Sequence, residues 1–183
     1  LPSTINAANI ITHTLDTSIQ NPLASSWKLS MPTRVAPVPV PLLRRDLETD
    51  GRHATVEFTD DWLEDAKRRD FTINAMSASP DGAVFDPFNG ISDLAHGRVR
   101  FIGIAHDRVR EDYLRILRFF RFHGLFGRGD MDCDAKAACR AGAEQLQTLS
   151  SERIRDEFLK ILLVADPAKI CGQMRDEQVL DQI

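Results

Sequence analysis

The chain is poor in cysteine: three in 183 residues (Cys133, Cys139, Cys171), an odd number with no Cys-x-x-Cys pair. That argues against a disulfide or zinc framework. No apolar run approaches the ~18–20 residues needed to cross a bilayer, so no membrane partner is expected. The first residues lack the basic-then-apolar order of a secretory signal, and the expected compartment is the reducing cytoplasm. Neither Gly-x-x-x-x-Gly-Lys nor Gly-x-Gly-x-x-Gly occurs, which removes the two common phosphate-cradling loops. The five histidines (His13, His53, His96, His106, His123) are scattered, and no Ser/His/Asp or Cys/His grouping stands out by spacing. Glycine is absent before Gly51, and Asp16 is the only acid before Asp46. The net charge of −4 excludes a chain that is basic throughout, but it leaves room for a local polyanion site.

What is present changes character near Leu43. Residues 1–43 carry six of the nine prolines and only Asp16, Lys28 and Arg34 as charges. The run Val35-Ala-Pro-Val-Pro-Val-Pro41 favours polyproline II and removes ladder donors, so a disordered or loosely packed arm is expected. Beyond Arg44 charge and periodicity rise together. Asp61-Trp-Leu-Glu64 has the form of a helix start, and the helix is expected to run through Arg69 towards Met76. Asp81-Gly82 predicts a hairpin between 76–79 and 83–86, closed by a loop at Pro87, Asn89 and Gly90. Further helices are expected from Asp107 to about Leu125, Lys136 to Gln147, Ser151 to Val164 and Pro167 to Leu180, with Asp166-Pro167 as cap and first turn. The charged stretch Arg44 to His53 reads as a mobile loop.

The stretch Glu111-Asp112-Tyr-Leu-Arg115-Ile-Leu-Arg118-Phe-Phe-Arg121-Phe122 is the richest in chemistry. On one helix, at about 100° per residue, Arg115, Arg118 and Arg121 fall roughly opposite Tyr113, Leu114, Ile116, Leu117 and Phe120. Guanidinium forks suit phosphate oxygens, and an Asp with an Arg can read a base edge. From Arg98 to Arg121 seven arginines face three acids, a basic excess in an acidic protein. The alternative is a solvated face with i,i+3 ion pairs. Arg68-Arg69-Asp70 followed by Asn74 has groups to hold a triphosphate and a ribose hydroxyl, or else forms surface ion pairs. Asp130-Met-Asp132-Cys-Asp134 alternates acids like a calcium loop but has Ala135 and Ala141 where Gly and Glu belong, so capping is expected. Phe119, Phe120 and Phe122 read as core.

Four ordered motifs carry a resemblance. They are Arg68-Arg-Asp-Phe-Thr-Ile-Asn-Ala75, Asp86-Pro-Phe-Asn-Gly-Ile-Ser-Asp-Leu94, Arg98-Val-Arg-Phe-Ile-Gly103 and Glu111 to Phe122. From about Arg44 to Ala168 the chain resembles the bacterial class II tRNA nucleotidyltransferases (CCA-adding enzymes) and the similar poly(A) polymerases. The resemblance implies an α+β fold, the remnant of a nucleotidyltransferase head (helix plus hairpin) followed by a mainly α-helical neck. It implies that Arg69 contacts the triphosphate and Asp70 the ribose, that Asp112 and Arg115 present a template to the CTP or ATP base, and that Arg118 and Arg121 line the same pocket. Asp86 to Leu94 would connect head and neck, and Arg44 to His53 would match the family's flexible loop.

The family's Gly-Gly phosphate turn and Asp-x-Asp pair have no counterpart, so no catalytic carboxylate is identified and ligands for the Mg²⁺ that the family uses are missing. A fragment is therefore expected. Residues 1–43 would be an atypical arm, from a shifted reading frame or foreign sequence; 44–95 the C-terminal part of the head; 96–150 the nucleotide-reading neck; and 151–183 the start of a truncated body. The lost strands would leave an exposed sheet edge. The expected function is template-independent CCA addition to tRNA from CTP and ATP, as a partial chain inactive alone. The alternatives are AMP addition to RNA 3′ ends by a poly(A) polymerase, or a non-catalytic nucleotide- or RNA-binding remnant.

Overall fold

The computed structural model describes residues 5–6, 44–49 and 54–58 as strand backbone, together with 61–79 and 82–183. The polyproline expectation and the turn at 50–53 lie outside the described residues. Strand β1 (Ile5–Asn6) is followed by β2 (Arg44–Thr49) and β3 (Ala54–Phe58), then helix α1 (Trp62–Lys67). A 3₁₀ turn (Thr72–Asn74) leads into β4 (Ser77–Ala78) and β5 (Val84–Phe85). The rest is helical: α2 (Gly90–His96), α3 (Ala105–Glu111), α4 (Leu114–Phe126), α5 (Cys133–Gly142), α6 (Ser151–Ile161) and α7 (Pro167–Asp176). This is the α+β arrangement expected, with small antiparallel sheets preceding a helical unit.

Local signals hold where they are short-range. The Asp61 carboxylate accepts from the Leu63 amide at 2.8 Å and caps α1. Asp132 accepts from the Ala135 amide at 3.0 Å, so this acid caps α5. Asp166 accepts from the Lys169 amide, with Pro167 in the first turn of α7. The hairpin pairs Ser77 with Phe85 and Ala78 with Val84, and Gly82 takes a φ of +90° at its tip.

Five expectations are corrected. First, α1 ends at Lys67 and does not continue to Met76. The chain at Asp70–Thr72 turns extended to exchange backbone bonds with Arg100 and Ile102, both at 3.0 Å. Phe71 is thereby fully buried, its ring 4.8 Å from Phe101 and 5.0 Å from Phe122. Tertiary burial of a phenyl ring, about 1.5–3 kcal/mol, outweighs helix propensity worth tenths per residue.

Second, the helix from Asp107 to Leu125 is two helices. Asp112 is extended (φ −156°), and its carboxylate accepts from the Leu114 amide at 3.1 Å, opening α4. The break lets α3 pack on α5 while α4 packs on α6 and α7, which one straight rod could not do. Third, the connection after Asp86 is partly helical. Asp86 accepts from the Gly90 and Ile91 amides and starts α2. Gly90 is required there because a Cβ would lie 2.3 Å from the Thr72 carbonyl oxygen.

Fourth, Arg44 to His53 is not simply a loop. β2 pairs antiparallel with β3, Arg44 opposite Phe58 and Thr49 opposite Ala54, with a register shift between Asp46 and Glu48. Thr55 and Val56 are β-branched and favour this pairing. Fifth, an N-terminal strand does pair with the remaining ones: β1 lies beside β4, Ile5 opposite Ala78, in the order β1-β4-β5.

One apolar cluster links these parts. Phe71 and Phe101 join Ile116, Leu117, Phe119 and Phe120 of α4, then Leu146, Ile161 and Met174 from the later helices. Phe119 and Phe120 are fully buried and Phe122 is nearly so, as core residues. The fully buried Asp93 of α2 accepts from the Thr72 hydroxyl at 2.7 Å and from Arg100 at 2.9 Å, fastening α2 to the 3₁₀ turn.

Candidate nucleotide site

The site grows from the turn that stops α1. Because Asp70 sits where the chain leaves the helix and bridges to Ile102, its carboxylate faces α4. Arg118 Nε donates to it, as do the Asn74 side-chain amide and, at 3.1 Å, the Phe71 backbone amide. Burial acts to raise the Asp70 carboxyl, but the Arg118 charge and these hydrogen bonds outweigh it and hold it below the ordinary carboxylate value. Arg118 is correspondingly raised: burial works against it, and the charges of Asp70, Glu157 and Asp112 prevail. Arg118 thus lies among three acids from three segments.

Arg69 points back along α1. It donates to Asp65 at 2.6 and 3.0 Å and to the Asn74 carbonyl at 2.8 Å. Arg68 shares the same buried Asp65 at 2.6 Å. Arg108 of α3 reaches the Arg69 carbonyl and, with Arg115, the single carboxylate of Glu111. Arg115 also donates to the Arg108 carbonyl at 2.8 Å. Arg108 is lowered by burial and then by the charge of Arg115. Arg121 donates to the buried Glu157 of α6 and lies over the Phe122 ring at 4.7 Å. Asp112 accepts two bonds from Arg153 of α6, at 2.9 and 3.1 Å.

The structure therefore brings Arg69, Asp70, Arg118 and Arg115 into one bonded network. Asp112 and Arg121 are tied instead to α6, one turn apart on that helix. Asp112 is not on the helix of the three arginines, as a single-helix projection requires, but immediately before it. The alternative of a charged face with local ion pairs holds for Arg108, Arg110 and Arg115, which meet Glu111 or Asp107 three or four residues away, but not for Arg118 and Arg121, which pair across 48 and 36 residues. Asp65, Arg108, Arg153 and Glu157 were not singled out from the sequence. Asp65 had a signal, lying three and four residues before Arg68 and Arg69. Arg153 and Glu157 had only their i,i+4 spacing.

Among the described residues no group of three or more His, Cys, Asp or Glu could hold a metal ion. The acids at the site are each engaged by arginines, so these residues do not fit the Mg²⁺ pair that phosphoryl transfer requires. No described helix is long and apolar enough to cross a membrane.

Comparison with known proteins agrees with this layout. The model of the poly A polymerase head domain matches residues 26–100, starting inside the proline-rich segment. A second, described as "Probable RNA and SrmB- binding site of polymerase A", matches residues 130–183. The chain belongs to the CCA-adding nucleotidyltransferase and poly(A) polymerase family. Within it, the mouse mitochondrial CCA tRNA nucleotidyltransferase 1 is 54% identical over 125 residues, 67% of this chain and 29% of that protein. The CCA-adding enzyme of Leuconostoc citreum is 44% identical over 108 residues, 59% of this chain and 27% of that protein. The Bacillus stearothermophilus CCA-adding enzyme, solved in complex with CTP, superposes with a TM-score of 0.67 at 30% identity, over 75% of this chain and 33% of that one. The Thermotoga maritima enzyme complexed with tRNA gives 0.60 at 31% identity, over 66% of this chain and 30% of that one. The chain spans under a third of the length of these two sequence relatives.

Proposed function

We propose that this chain carries the nucleotide-reading part of a CCA-adding nucleotidyltransferase, binding CTP and ATP beside a tRNA 3′ end. The observation that carries the reading is the Asp70–Arg118 contact, which joins two sequence motifs 48 residues apart into one charged site. In this reading Arg69 meets the triphosphate and Asp70 the ribose. Asp112 accepts from the exocyclic amine of the base while Arg115 donates to its ring nitrogen. Arg118 and Arg121 hold these groups in place. Residues 44–95 would serve as the head portion, 96–150 as the neck and 151–183 as the start of the body.

Mg²⁺ belongs to the chemistry of the family, and the described residues offer it no site, so binding without transfer is the activity assigned to the chain by itself. Three free cysteines suit a reducing compartment, and the cytoplasm is the one proposed. Calorimetric titration with CTP and ATP tests the reading. Both should bind, and Arg69→Ala should weaken both about tenfold by removing a charge-assisted phosphate contact. Failure of the intact chain to bind either nucleotide would overturn it. Incubation with Mg²⁺, labelled CTP and ATP, and a tRNA lacking its CCA end should give no incorporation. Ordered C, C, A addition would restore the full activity to this chain, and a tail of A alone would favour a poly(A) polymerase.

A further inference from the structure

Helix α4 meets its two later neighbours in different ways. Towards α6 it sends Arg121 to the buried Glu157, a charged contact. Towards α7 no hydrogen bond or ion pair crosses among the described residues. That contact is apolar: a Cβ at Gly124 would lie 3.0 Å from Ile170 and 3.1 Å from Val164, and Met174 joins the same cluster. On α7 itself the Gln173 Oε1 atom is buried without a hydrogen-bond partner.

In this joint sits His123, 4% exposed, which the nucleotide site does not use. Its ring lies 6.4 Å from that of Phe119, at 26°, and Gly127 makes room for it, since a Cβ there would stand 2.2 Å from Nδ1. From α7, Lys169 is close enough for its charge to act on the imidazole. The Asp166 carboxylate at the start of α7 is engaged by the Lys169 amide. On α4 Arg121 is taken by Glu157, and in the turn that follows the Arg128 stem covers Gly97. Among the described residues no carboxylate pairs with the ring. Burial first, and then Lys169, work against a proton there and hold the imidazole below its ordinary value.

We propose that His123 is a proton-operated latch between α4 and α7. Neutral, it seals the apolar joint. Protonated, it sets a second cation beside Lys169 where no acid receives it, and α7 opens while the contact of α4 with α6 holds. The folded value lies below the unfolded one of about 6.5, so the latch is intact above that pH. Its strength is lost as pH falls from about 6.5 through the lowered folded value. At pH 5.5 an unfolded imidazole is protonated over neutral by about tenfold, which bounds the loss of protection in α7 at about tenfold. Asp70 does not intrude, because its carboxyl titrates below about 4.

The test is amide hydrogen exchange, read as protection factors, on the 183-residue chain at pH 7.5 and 5.5. Amides of 167–176 should lose about three- to tenfold in protection at the lower pH, with those of 114–126 nearly unchanged. His123→Phe keeps an aromatic ring against Phe119 without a proton site and should show no fall. Lys169→Gln should shrink the fall, and this exposed position carries the test if His123→Phe does not fold. His106→Gln, at an exposed histidine, should behave as the intact chain. Equal protection of α7 at the two pH values in the intact chain overturns the proposal. So does a fall that persists in His123→Phe, one that Lys169→Gln leaves unchanged, or one shared equally by every helix, the mark of global unfolding.

Discussion

Charge pairs on the inner side of α4 differ in kind from those on the outer surface of α3, α6 and α7. Outside, Asp107–Arg110, Arg155–Asp156 and Arg175–Asp176 join residues one to three apart, each side chain more than half exposed. Inside, Asp70–Arg118 and Glu157–Arg121 join residues 48 and 36 apart, with acids only 5% and 3% exposed. Water screens the first group and long side chains must be ordered to form it, so each contributes about 0–1 kcal/mol. The second group lies where desolvation is severe, and a partner removed leaves a buried charge uncompensated. The same residue types therefore hold the molecule together in one place and merely decorate it in another.

The largest break in that contrast should come from the inner acids. Glu157→Ala strands the 18%-exposed Arg121 guanidinium and should cost about 2–4 kcal/mol in urea unfolding, somewhat under the range for fully buried pairs. A loss below that of the outer pairs would erase the distinction. Asp70→Asn should cost somewhat less, since Arg118 remains about one-third exposed, and its effect should depend on pH. The Asp70 carboxyl is held below its ordinary value in the folded chain, so its contribution is fully present above the unfolded value of about 4. That contribution is lost as pH falls from there through the lowered folded value. The gap in thermal midpoint between the intact chain and Asp70→Asn should narrow with acid; a gap that widens would give the opposite sign of shift. Asp132→Ala, removing the cap of α5, should cost about 1 kcal/mol by the same unfolding measurement. Arg155→Ala should change stability by less than about 0.5 kcal/mol, the smallest effect of the set.

Legibility followed the same division. Caps at Asp61, Asp132 and Asp166, the hairpin around Gly82 and the apolar roles of Phe119 and Phe120 are properties of residues within a turn of one another, and the sequence carries them openly. The bounds of α1 and the split between α3 and α4 were misread because their causes lie far along the chain. Phe71 is drawn out of the helix by Phe101 and Phe122, and Asp112 turns the chain so that α3 and α4 can pack on different partners.

Composition and motif order alone determined the α+β class, the family resemblance and the residues that bear charge at the site. Only the tertiary structure decided which acids Arg118, Arg121 and Arg153 meet, because ion pairing across dozens of residues depends on how the core around Phe71, Phe101 and Phe119 brings the helices together. Arg153 shows the limit most clearly. Only its i,i+4 spacing to Glu157 marks it locally, and its place beside Asp112 exists only because α6 packs along α4.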